Sequence, residues 1–167
     1  MAAPILGVDP GLSATGWGLL DPQPDGTAQL RWSVIRPPKP GESDLATRLC
    51  YIHDQIADVI ARYQPAALAI ERPFVNRNVR SAVALGQAQA AAMMAAAAAG
   101  ITVAEYPPRE VKQTVAGDGA ADKQIVAQAL MSRLGLSELD APSDAADALA
   151  VAYCHFLSAP QIEFSAS

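Results

Sequence analysis

Cysteine is scarce in this chain. The two cysteines, Cys50 and Cys154, lie far apart and show no metal-type spacing, which argues against a disulfide framework or a cysteine zinc site. They read as reduced thiols, packed in the core of a cytoplasmic protein. Also missing are a basic N-terminal region ahead of an apolar run and any stretch of about 18 apolar residues with membrane-like flanks. The Ala-rich segment 88–99 is too short and too small-sided to qualify, so neither secretion nor a membrane span is expected. An excess of base is lacking too: seventeen acidic residues against twelve Lys and Arg leave a net charge of −5, which taken alone speaks against a nucleic-acid partner.

The distribution of charge reverses that last reading. From Arg72 to Arg80 there are three arginines and no acid, and from Arg72 to Lys123 six basic residues meet four acidic ones. The middle of an acidic chain is therefore locally basic. At 167 residues, half of them hydrophobic, the chain suits one domain with a core that needs no staples. That domain is expected over 1–158, with 159–167 a frayed tail.

Hydrophobic periodicity predicts short strands at 5–8, 16–20 and 30–35, joined by Gly, Pro and Asp turns as an antiparallel meander. Gly16 and Gly18 leave space beside the first strand. After the Pro-rich 36–41, Ser43 or Asp44 is placed to cap a helix whose apolar residues run from Leu45 through Ile52, Ile56 and Ile60 to Tyr63. ALAIE, ending at Glu71, is a fourth strand and ITVAEY a fifth, separated by a helix at 81–99 that Gly100 stops. Further helices are expected at 109–115, 120–134 and 144–157. A meander followed by alternating helices and strands implies a mixed α/β sheet flanked by helices.

Four acids stand out by position. Asp9 and Glu71 end hydrophobic strands, and Asp144 and Asp147 lie three apart in PSDAADALAVAY, a spacing that puts both on one helical face. Each has a local explanation: Asp9 as part of an Asp-Pro-Gly turn, Asp144 as a dipole partner behind a Ser143 cap, Glu71 as the ion-pair partner of Arg72 or Arg109. Together they make a different pattern, because Asp147 precedes an apolar helix face and Glu71 follows a strand buried on both sides. Buried carboxylates without partners are costly. All-oxygen ligands suit Mg²⁺ or Mn²⁺, and two such ions about 4 Å apart activate water and stabilise the leaving oxygen of a phosphodiester.

The motifs GVDPGLSATGWG, LAIERPF, LGQAQA, EVKQTVAGDGAADK and SDAADALAVAYCH, in that order and over nearly the whole chain, resemble those of the bacterial RuvC Holliday-junction resolvases, members of the RNase H-like nuclease superfamily. The resemblance implies an RNase H-like mixed five-stranded sheet flanked by helices. It also implies a homodimer, paired symmetric nicks across a four-way DNA junction in recombination and repair, and the branch-migration proteins RuvA and RuvB as further partners. By position, Asp9, Glu71, Asp144 and Asp147 match the metal-binding catalytic acids, and Lys112 and Lys123 match lysines tied to DNA binding and catalysis. Phe74 matches an aromatic that stacks on a base at the junction. Family members can carry a basic C-terminal tail, whereas this chain ends PQIEFSAS.

Arg77, Arg80, Arg109, Lys112 and Lys123 are candidate phosphate contacts, and Arg72 is a further one; a solvated face is the plainer account, more so for Arg72 and Arg80. Phe74 reads either as a stacking platform or as an anchor for its own loop. His53 reads as a surface residue. His155 shares the face of Asp147 and Val151, open to a ligand role, to proton transfer or to plain packing. The Ala-rich helix with Gly86 suits close packing inside the domain or across a two-fold interface. Alternative functions are an RNase H-like nuclease acting on RNA, an actin-like nucleotide-binding protein suggested by GVDPG and SATG, and a junction binder without catalysis.

Overall fold

The computed structural model describes residues 3–72 and 78–159. The meander is formed by β1 (Ile5–Asp9), β2 (Thr15–Pro22) and β3 (Ala28–Ile35), followed by helix α1 (Leu45–Tyr63) and strand β4 (Ala67–Glu71). Helix α2 (Val79–Ala98) leads to β5 (Thr102–Tyr106), and α3 (Pro108–Ala116), α4 (Lys123–Leu134) and α5 (Ser143–Ser158) complete the described fold. The sheet has five strands in the order β3-β2-β1-β4-β5. β1 pairs antiparallel with β2 and parallel with β4, and β4 pairs parallel with β5. This is the expected mixed architecture.

Side-chain alternation divides the core into two layers. Leu6, Val8, Trp17, Leu19, Leu68 and Ile70 pack toward α1 and α2, while Ile5, Leu20, Ala69 and Tyr106 pack toward α3, α4 and α5. Asp9 keeps the parity of Ile5, and Glu71 that of Ala69. Both acids therefore belong to the α5 face, at the ends of strands whose preceding residues are buried.

α5 lies unusually close to that face. A Cβ at Gly7 would overlap the carbonyl oxygen of Ala148, one at Gly16 the carbonyl of Asp144, and one at Gly18 the side chain of Leu149. Glycines at these three positions let the helix backbone rest on the sheet. The space beside the first strand is thus filled by the helix that carries Asp144 and Asp147.

Several boundaries differ from the sequence reading. Asp44, one of the two expected caps, does cap α1 by accepting from the Thr47 N–H, but Asn78 caps α2 by accepting from the Ser81 N–H, so α2 starts earlier than expected. α4 starts only at Lys123, where Asp122 accepts from the Ile125 N–H. The residue before α5 is Pro142, which has no side-chain oxygen to offer; Ser143 is the first helical residue and not its cap. At 20 residues α2 is long and apolar enough by composition to cross a membrane, longer than the Ala-rich segment alone. Its Ala88, Ala91, Ala92, Ala95 and Ala96 are nonetheless buried in the layer shared with α1, as in a core helix. A Cβ at Gly86 would meet open space, so packing within the chain does not require glycine there.

Candidate active site

The parallel register of β1 and β4 pairs Val8 with Ile70, and one residue further along each strand come Asp9 and Glu71. Two hydrogen-bond clamps hold the turn after Asp9. The hydroxyl of Thr15, wholly buried, donates to the Gly11 carbonyl at 2.8 Å and accepts from the Gly11 N–H at 3.2 Å. Arg48, also buried, donates to the Leu12 carbonyl at 2.6 Å and to the Pro38 carbonyl at 2.8 Å. The strand end that carries Asp9 is therefore fixed from both the sheet and α1.

Asp9 and Glu71 face Asp147 of α5 across a cavity of about 220 Å³, which is also lined by Pro108, Val111 and Lys112 of α3, Lys123 and Val126 of α4, and Ala150 of α5. Three of the four predicted acids and both predicted lysines meet there. Asp144, one turn before Asp147, lies outside the lining, and it is the weakest of the charges that act on Asp9. Among the described residues, no group of three or more His, Cys, Asp or Glu side chains is gathered closely enough to enclose a metal ion. The Lys123 ammonium instead reaches into the cluster and pairs with Asp147 Oδ2.

The charge balance explains that arrangement. Burial, then the carboxylates of Asp147 and Glu71, push the Asp9 carboxyl up to about 7, with Lys123 opposing. Glu71 is raised by burial and by Asp147, against the lowering influence of Lys123 and Lys112. Lys123 is itself raised, chiefly by its hydrogen bond to Asp147. Acids this close and this desolvated call for positive charge, and two lysines supply only part of it. The donor set is all oxygen, which fits a hard divalent cation in chemistry and charge.

Other candidates fall outside the cavity. Arg72, Arg80 and Arg109 are exposed and do not line it, and Arg109 instead lies against Gly119. Neither Arg72 nor Arg109 forms the ion pair with Glu71 that a local explanation required; the ion pairs among the described residues are Lys123 with Asp147 and His53 with Asp54. Phe74 and Arg77 lie outside the described residues, as does nearly all of the tail expected at 159–167. His155 is half-buried, with its Nδ1 2.7 Å from the hydroxyl of Tyr106. Tyr106, Thr15 and Arg48 did not stand out in the sequence. The one signal for Tyr106 was its place at a strand end ahead of two prolines, much as Asp9 stands ahead of Pro10.

Comparison with known proteins places this geometry. The family model described as "Crossover junction endodeoxyribonuclease RuvC" matches residues 5–155. A Moorella thermoacetica protein of that name is 46% identical over 156 residues, covering 93% of this chain and 92% of the relative. One from Dehalococcoides mccartyi is 41% identical over 151 residues, 90% of each chain. Among solved structures, that of T. thermophilus RuvC in complex with Holliday junction substrate superposes with a TM-score of 0.83 at 35% identity, covering 92% of this chain and 93% of that one.

Proposed function

The chain belongs to the RuvC family of crossover junction endodeoxyribonucleases, and from that premise we propose that it resolves four-way DNA junctions by paired symmetric nicks, with Asp9, Glu71, Asp144 and Asp147 holding the divalent cations. The observation that carries the assignment of the site is the convergence of Asp9, Glu71 and Asp147 on one cavity with Lys112 and Lys123. Mg²⁺ or Mn²⁺, two per site, would activate the attacking water and stabilise the leaving oxygen of the phosphodiester.

The protein's own part is positioning and electrostatics. Strands β1 and β4 present Asp9 and Glu71 from a sheet that cannot shift without breaking its ladder. α5 brings Asp147 from the opposite side, and its N-terminal turn, with unsatisfied N–H groups near Asp144, favours negative charge there. Asp9 accounts for the dependence on a cation, because a carboxyl held up to about 7 ionises fully near neutrality only when positive charge is added. Lys112 and Lys123 line the cavity from α3 and α4 and bind the phosphate about to be cut. Arg80, Arg109 and, by sequence, Arg77 extend phosphate contact along the arms, with Phe74 stacking on a base where the strands part.

A homodimer would set one such site against each of two strands of a junction with approximate two-fold symmetry. An exposed stripe on α2 formed by Val79, Val83, Ala90 and Met94, with Gly86 open between them, supports that part of the reading. Cooperation with RuvA and RuvB rests on family membership alone. A cytoplasmic location fits a DNA substrate and the unpaired Cys50 and Cys154. No specific observation favours the RNA-directed, nucleotide-binding or non-catalytic alternatives. The test is cleavage of junction DNA with and without Mg²⁺ or Mn²⁺. Asp9→Asn is expected to lose cleavage by about a thousandfold or more while still binding the junction, and undiminished cleavage by that variant would overturn the assignment.

A further inference from the structure

We propose that Tyr106 and His155 form a positioning pair, a single directional hydrogen bond that holds Glu71, Lys112 and Asp147 in mutual register. The inference deepens the reading of the acids as cation ligands, and rests on it.

The geometry on the α5 face is uneven. On the β1 and β2 side, α5 is seated by the glycine contacts at Gly7, Gly16 and Gly18. Among the described residues β4 and β5 contribute no glycine seat of this kind, and the site needs Glu71 of β4 and Lys112 of α3 at fixed distances from Asp147. Tyr106 is the residue at which those two elements meet. It is the register partner of Glu71, its carbonyl accepts from the Arg72 N–H at 2.7 Å, and Pro107 and Pro108 carry the chain straight from it into α3.

From that junction the Tyr106 side chain crosses to α5. Its hydroxyl lies 2.7 Å from His155 Nδ1, and the two rings meet edge to face, with centroids 5.8 Å apart and planes at 70°. His155 stands two helical turns beyond Asp147 on the same face, with Val151 between them. Burial lowers the basicity of the imidazole and raises the phenol, so both partners are neutral near pH 7 and either tautomer gives one hydrogen bond between uncharged groups. The contacts of α5 with Val111 and Val115 are apolar, and the Cys154 thiol of α5 hydrogen-bonds Thr114 of α3; the Tyr106–His155 bond is the link that ties α5 to the end of β5. Neither residue lines the cavity, so their effect on the reaction passes through the groups they hold.

The test uses the full chain at a temperature well below its unfolding transition. Mn²⁺ binding to the DNA-free protein is followed by electron paramagnetic resonance, and single-turnover junction cleavage is measured alongside junction binding. Tyr106→Phe keeps the ring and removes only the hydroxyl. It is expected to weaken Mn²⁺ binding several-fold and slow cleavage about tenfold, with junction affinity unchanged. His155→Ala should match it, the double variant should be no worse than either single one, and His155→Asn, whose side-chain amide reaches the place of Nδ1, should recover most of the loss. Wild-type Mn²⁺ binding and cleavage in Tyr106→Phe would overturn the proposal, as would additive losses in the double variant. A wild-type protein that binds Mn²⁺ but leaves junctions uncut would contradict the functional reading, and the metal titration would still decide this one.

Discussion

Burial and the neighbouring carboxylates push the Asp9 carboxyl up to about 7 from an ordinary value of 3.8. Between those two values the folded chain retains a proton that the unfolded chain has released, so Asp9 favours folding most below about pH 4. That contribution is lost as pH rises through about 7, and a shift of this size corresponds to up to about 4 kcal/mol. Glu71 is displaced in the same direction. The metal-free protein should therefore lose thermal stability from about pH 4 to about pH 7. Asp9→Asn should flatten that decline, and Mg²⁺ or Mn²⁺ should restore stability to the wild type and much less to the variant. Thermal denaturation at a series of pH values, with chelator and with added ion, reads all three. An equally steep decline in Asp9→Asn would mean that the strain lies elsewhere.

The elements place these residues through backbone proximity. A Cβ at Gly7 would meet the main-chain carbonyl of Ala148, which cannot rotate away as a side-chain tip can. Gly7→Ala should cost about 3 kcal/mol and slow cleavage beyond what unfolding explains, because α5 must lift and take Asp147 with it. Denaturant unfolding and cleavage at a permissive temperature measure the two effects separately. Much of this layout is legible in the sequence. Period-two alternation puts Asp9 and Glu71 at strand ends, the three-residue spacing puts Asp144 and Asp147 on one helical face, and all five strands lie where the apolar runs are. What the sequence does not disclose are the long-range pairings. Gly16 and Gly18 announce a close approach without saying which helix makes it. Lys123 meets Asp147, and Tyr106 meets His155, only because α4 and β5 both pack beside α5. The Ser143 cap failed for a local reason: Pro142 takes the position before the helix, and Ser143 falls inside its first turn.

At the scale of the molecule, an acidic chain is expected to grip a polyanion through a minority of its surface. Lys112 and Lys123 stand at the cavity, with Arg80 and Arg109 exposed beyond it, so binding should weaken steeply with salt. The second whole-molecule feature is the exposed α2 stripe. Val83→Glu combined with Met94→Glu places two charges on its open apolar positions, 54% and 64% exposed, where the chain's own fold has little to lose. The double variant is expected to sediment as a monomer with unchanged far-ultraviolet circular dichroism, and to nick junction strands singly. Persistence of a dimer would move the interface to another face.

The proposed function, with lysines at an acid-lined cavity and two such sites in a homodimer, makes a branched duplex the expected substrate. Competition among synthetic substrates tests that claim most directly, with a four-way junction, the matching linear duplex and an RNA–DNA hybrid each incubated with the protein and Mg²⁺ or Mn²⁺. The account predicts two symmetrically placed nicks in the junction, little cutting of the other two, and no cutting by Asp9→Asn. Equal cutting of the linear duplex or of the hybrid would contradict it.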